Sequence, residues 1–394
     1  MSVDSDRRRL PARSSLWNDA NTRAILYQIV IAAAVVLAGW YLFSNAAANL
    51  ATRNIATGFG FLHREAGFEI GEHVIDFTAS STYGRAFVVG ILNTLKAASI
   101  GIVLATILGT LIGISRLSSN WLIAKLASVY VEAIRNVPLL LQLFLWYILI
   151  NSLPGPRQAL NPIAMVYISN RGLRLPTFSD HPVHWVMALL FLVGIAGTVF
   201  LSRRARRKQA ETGRRSPVFL PGVALIIGLP LIAFLAAGAP LAIDKPELKG
   251  FNFLGGIDLS PEFAALLFGL VVYTAAYIAE IVRAGILAVP KGQSEAALAT
   301  GLPKSRVLRL VVLPQALRVI VPPLTNEYLN LTKNSSLAVG IGFPDLVSIG
   351  NTTINQTGQA IEGFAMMMAV YLTISLLIAA SMNWYNRAIA LVER

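Results

Sequence analysis

The chain has 394 residues, 55% apolar and 13% charged, with a mean hydropathy of +0.62 and a formal net charge of +13. A soluble domain carries about 25% charged residues, so the composition is that of an integral membrane protein. The absence of Cys excludes disulfides, thiolate metal sites and cysteine nucleophiles. The four His (His63, His73, His181, His184) form no H-x-x-x-H pair and read as loop residues at a membrane surface, so no metal site is expected.

A membrane-crossing helix needs about 20 mostly apolar residues. Eight segments qualify in chain order: 24–43, without a charge; 86–115, interrupted by Lys96; 126–153, with Glu132 and Arg135 early; 183–201; 218–238; 261–286, with Glu280 and Arg283 near its end; 316–340, unusually polar; and 364–384. The fold class is therefore an all-α integral membrane protein. The first segment follows Arg7-Arg8-Arg9 and could be read as a signal peptide. Signal-peptide cores run about 7–15 apolar residues, and this one is longer, so a retained helix is expected.

Placing the N-terminus in the cytoplasm puts 22 of the 33 basic residues in cytoplasmic segments and eight in external ones. This asymmetry predicts both termini inside. It makes 1–23 a basic cytoplasmic tail, 24–43 an added helix and 44–85 an external loop. The run SRRARRKQAETGRR (202–215) is open to reading as a nucleic-acid or anionic-lipid patch. It is short and has no interleaved aromatics, and serves better as a determinant of topology; no nucleic acid is expected.

Charged groups within the bilayer cost several kcal/mol, so their positions carry information. YVEAIRNVPLL (130–140) and YIAEIVRAG (277–285) each place Glu three residues before Arg. Residues at this spacing are helix neighbours, so Glu132–Arg135 and Glu280–Arg283 can each neutralise locally or pair across helices. They read either as interfacial ion pairs or as a repeated gate or anchor. In PPLTNEYLNLTKNSSLA (322–338), Asn326, Asn330 and Lys333 share one helix face. That face must avoid lipid, and either glues helices together or lines a route suited to a zwitterionic solute.

Between the sixth and seventh spans lies EAALATGLPKSRVLRLVVLP (295–314), too polar to cross a membrane. It reads as two short helices at an angle. Glu295 sits in the first turn, favoured by the helix dipole, and Ala296, Ala297 and Ala299 keep one surface small. Gly301 serves as the left-handed terminator, Pro303 opens a second helix, and Pro314 ends it and opens span seven. The unit is either a knob for a partner's cleft or an amphipathic helix resting on headgroups through Lys304, Arg306 and Arg309.

The pattern Glu295-Ala296-Ala297, three residues, Gly301, nine residues, then Val311-x-Leu313-Pro314 resembles the cytoplasmic coupling motif of bacterial ABC importer permeases, with Val in place of the usual Ile. GILNTL (90–95), YVEAIRNVPLLLQLF (130–144), AYIAEIVRAGI (276–286) and LNLTKNSSLA (329–338) resemble the polar amino-acid (histidine/glutamine-type) branch, and ATGFGFLHREAGFEIG (56–71) is similar to general L-amino-acid permeases.

The resemblance implies a five-span type I permease core within 86–390, with a helix pair and loops inserted at about 155–255 and a coupling loop at 287–315. It further implies a second permease, copy or paralogue, in the same pore. Two cytoplasmic ATPases would use ATP and Mg, a soluble binding protein would deliver L-amino acids, and the assembly would sit in the bacterial inner membrane. This chain has no G-x-x-x-x-G-K-[ST] run, so it binds no cofactor and is not itself an enzyme on this reading. An ion-coupled secondary transporter, using Glu280 and Glu327, is the alternative; it gives no reason for the broken helix. A membrane-embedded enzyme finds no catalytic set.

Overall fold

A computed structural model of the protein describes residues 20–52, 57–179, 181–213, 217–238 and 243–389. Most of the basic 1–23 tail, together with Arg53, Arg214, Arg215 and Arg394, lies outside the described residues. Among the described residues, seven helices are long and apolar enough to cross a membrane, or eight if one bent pair counts as a span.

The helices are α1 (Ala20–Thr52), α2 (Tyr83–Ser115), α3 (Trp121–Arg135), α4 (Leu139–Asn151), α5 (Pro182–Thr212), α6 (Phe219–Val223), α7 (Leu229–Ala236), α8 (Pro261–Leu287), α9 (Lys291–Ala299), α10 (Lys304–Val307), α11 (Leu313–Asn334), α12 (Leu346–Thr357) and α13 (Ala360–Ile389). A π-helical turn joins α6 to α7, and another joins α10 to α11.

The predicted span 126–153 is not one helix: α3 and α4 meet at 104°. Pro138 has no N–H and disfavours helical backbone at Val137. The break frees carbonyls, and buried Gln142 answers them, its Nε2 donating to Ile134 O and Val137 O at 3.0 Å each. A buried amide held this way locks the bend.

The core forms around α8, whose buried residues run from Phe263 to Gly285. α2 lies directly against it because two glycines remove the spacer. A Cβ at Gly109 would stand 2.6 Å from Ile278 Cβ, and one at Gly113 2.7 Å from Ala279 O. Small residues at such contacts let helices pack closely where water supplies no hydrophobic drive. α11 packs on α8 in the same way, with Gly285 against Ile320.

Lys96, which interrupts the second span, finds its partner outside that helix. Its Nζ lies 2.6 Å from Glu72 Oε1 and 4.3 Å over the Phe263 ring. Ser260 donates its hydroxyl to the other Glu72 oxygen while accepting from Phe263 N, which caps α8. Asn93 Nδ2 donates to Glu72 O (2.8 Å) and Pro344 O (2.9 Å). The loop after α1 is thus strapped across one end of α2, α8 and the segment before α12. Asp345 caps α12 there, accepting from Ser348 N at 2.8 Å. Burial pushes its carboxyl up to about 7, against the lowering effect of the Ser348 and Val347 N–H groups.

The chain is mostly helical, as expected, but the segments flanking α5–α7 add short strands that an all-α reading omits. β1 (Leu160–Ile163), β2 (Val166–Ser169) and β3 (Gly172–Leu175) join β8 (Ile257–Leu259) in an antiparallel sheet of order β1-β2-β3-β8. β4 (Thr177–Phe178) pairs with β5 (Ile243–Asp244), and β6 (Glu247–Lys249) with β7 (Asn252–Leu254). Strands of two to four residues are too short to show alternation. The β3–β8 pairing brings the segments before α5 and after α7 together, with Arg174 and Asp258 paired at 2.7 Å.

The close α2–α8 contact yields a test. Gly109→Leu should destabilise the protein by about 1–3 kcal/mol through overpacking, read as a lower thermal midpoint in detergent. An unchanged midpoint would mean that the two helices do not meet at this residue.

Candidate functional site

The loop between α8 and α11 is built from its breakers. Pro290 takes the N-cap position of α9 with extended ψ (133°). At the other end Thr300 N donates to Ala296 O, Gly301 N donates to Leu298 O at 2.9 Å, and Gly301 adopts φ +81°. Nothing lies within 4 Å of a Cβ placed at Gly301. The requirement for glycine is therefore conformational, since only Gly takes φ > 0 at no steric cost.

Pro303 caps α10, its carbonyl accepting from Arg306 N (2.8 Å) and Val307 N (3.1 Å). Val307 is buried and anchors this short helix, whereas Glu295, Ala296, Leu298, Ala299, Leu308 and Leu310 are exposed. Ala297 and Pro314 are half-buried, and Leu313 is exposed.

Two sequence expectations change here. α9 begins at Lys291, so Glu295 lies beyond the first turn and owes nothing to the helix N-terminus. The second helix does not end at Pro314: it continues through the π turn Leu308–Val312 into α11. Proline lacks an N–H and crowds the carbonyl four residues earlier. One widened turn absorbs that conflict without breaking the rod. The only sharp break between α9 and α11 is thus at 300–303. Exposed Leu298, Leu308 and Leu310 were not singled out from sequence. Their signal, apolar residues on a segment too charged for lipid, was obscured by the Ala run.

At the same end of the bundle, the two Glu-x-x-Arg patterns do different things. Glu280 binds Arg283 (Nη2–Oε1 2.7 Å) and also pairs with Arg116, the C-cap residue of α2. It therefore ties α2 to α8. The Glu132–Arg135 pair does not form: Glu132 is exposed, and the Arg135 guanidinium stands 5.0 Å over the Tyr277 ring. A cation over an aromatic face is stabilised by the ring quadrupole. The expectation of two equivalent pairs gives way to one three-charge cluster and one cation–π contact.

Along α11, Asn326, Asn330 and Lys333 are all exposed, while Leu324, Leu331 and Thr332 on other faces are buried. The polar face therefore points away from this chain's own bundle. Glue between helices of the same chain, one of the two readings from sequence, does not apply. Among the described residues, no group of three or more His, Asp or Glu could hold a metal ion.

The described residues thus form a bundle of apolar spans with a broken polar helix at one end and a polar stripe on an outer face. The chain belongs to the family of binding-protein-dependent transport system inner membrane components, which residues 182–391 match. It is 50% identical over 383 residues to the general L-amino acid transport system permease protein AapQ of Rhizobium johnstonii, covering 97% of this chain and 96% of that one. It is 51% identical over 393 residues to the putative amino-acid ABC transporter permease protein YhdX of Escherichia coli K12 (98% and 99% covered). Over 414 residues it is 40% identical to the glutamate/glutamine/aspartate/asparagine transport system permease protein BztB of Rhodobacter capsulatus (97% of each).

Proposed function

We propose that this chain is the permease subunit of an ATP-driven importer of L-amino acids in the bacterial inner membrane. The observation that carries the reading is the 50% identity, along 97% of the chain, to a relative named as a general L-amino-acid permease. The partners are a second permease, two ATP-binding cassette subunits and a soluble amino-acid-binding protein; ATP and Mg belong to the ATPases. On this reading Glu295, Ala296, Ala297, Gly301, Leu313 and Pro314 form the joint to an ATPase. Their exposed, small-sided helix with a fixed turn supports that role. Asn326, Asn330 and Lys333 face the central path shared with the second permease, because polar side chains exposed on a span cannot be left to lipid. An ion-coupled mechanism is less well supported, since Glu280 is already engaged by two arginines.

The basic asymmetry supports cytoplasmic termini and a cytoplasmic 287–315 loop. A reporter fused within 204–213 should be active on the cytoplasmic side and one within 60–80 on the outside; the reverse pattern would sink this orientation.

Gly301→Val forces a β-branched residue into φ +81°. The spans should assemble normally, whereas ATPase copurification and amino-acid uptake should both fall at matched permease abundance. Normal values for both would remove the coupling role.

Lys333→Met keeps the length of the side chain and deletes its charge. Uptake should fall, or preference among amino acids should shift, with membrane abundance unchanged; identical kinetics for every amino acid would remove this face from the path.

A further inference from the structure

We infer that the inserted helix pair carries a binding site for an anionic phospholipid, formed by Arg204 and Lys208 on α5 against Pro217, Val218 and Pro221. A cavity of about 200 Å³ lies between these residues, floored by Leu201 and Ala205. Leu201, Arg204, Ala205 and Lys208 follow helical spacing and share one face. The opposite wall is apolar, and two of its three residues are prolines, which have no N–H to offer.

The cavity exists because the two helices converge below it and diverge above. Thr198 Oγ1 donates to Gly222 O at 3.3 Å, and a Cβ at Gly194 would stand 2.4 Å from Leu225 O.

The depth is right for a headgroup. A helix rises about 1.5 Å per residue and the hydrocarbon core is about 30 Å thick. Counted from Pro182, the core is therefore crossed near Leu201, and the two cations stand at headgroup level with apolar surface beneath them. The ion pairs among the described residues leave Arg204 and Lys208 unengaged. Glu211 is the sole acid between 201 and 221. Basic pockets between membrane helices take anionic headgroups. The apolar floor, continuous with both helices, selects a lipid over a free anion. The site requires only that the pair lie in a bilayer, and is independent of what the importer carries.

The test is native mass spectrometry of the purified complex, delipidated and then incubated with phosphatidylglycerol or phosphatidylcholine. Phosphatidylglycerol should survive activation that strips phosphatidylcholine. R204Q/K208Q should weaken its retention about 25-fold, a factor of about five for each cation at an anionic surface. R203Q/R207Q removes the same charge from α5 without lining the cavity and should leave retention intact. Equal loss in both pairs, no preference for phosphatidylglycerol, or its release by inorganic phosphate would each overturn the site. A topology reporter in each variant ensures that the compared proteins are inserted alike.

Discussion

A charged or strongly polar group inside a bilayer must find a partner, and this constraint organises the molecule more than any single apolar contact. Lys96 sits in the middle of α2's sequence; its neutralisation by Glu72 pulls the loop after α1 across the bundle end and fastens it to the α8 cap. Glu280 and Arg116 do the corresponding work at the opposite end, joining the terminus of α2 to α8. Between these two ties, the glycine-lined contact at 109 and 113 keeps the helices close enough for both to form. Removing Glu72 would leave the Lys96 charge within the span, which costs more than the tie itself contributes.

The long elements were legible because length and apolarity alone define a span. The broken loop was legible because Gly and Pro punctuate helices by local sterics, and Gly301 has the left-handed backbone its position predicts. What escaped was decided by three-dimensional neighbours. Glu132 and Arg135 have the same spacing as Glu280 and Arg283, yet Tyr277 on another helix takes Arg135 away. The α3–α4 bend needed Pro138, visible in sequence, and also Gln142 to satisfy the opened carbonyls, which is not. The four-stranded sheet escaped because its strands are too short to show alternation and because one of its pairings, Leu173 with Leu259, joins residues more than eighty positions apart.

The same constraint separates what is complete in this chain from what is not. Lys96, Arg116, Glu280 and Arg283 are satisfied internally. The Asn326–Asn330–Lys333 face is turned outward, where acyl chains offer it no hydrogen-bond partner. On the proposed reading, a pore formed between two permeases would resolve that conflict, since each subunit would then present a polar face to the shared path instead of to acyl chains.

The position of the break at Gly301 has mechanical meaning on the proposed reading. Had the second short helix ended at Pro314, movement of the water-side loop would be absorbed by a flexible joint at the membrane surface. The π turn instead keeps α10 and α11 one rod, and Gly285 against Ile320 presses that rod to α8. The break therefore lies on the far side of α10, at 300–303, where Gly301 fixes the turn between α9 and α10. Displacement of α9 by an ATPase would reorient α10 and α11 together, and with them the polar face of α11. Packed helices shift as rigid bodies because their interfaces do not deform continuously. The unbroken α10–α11 rod, joined to α9 through the turn at Gly301, thus links the surface that would receive the ATPase stroke to the surface that would line the path.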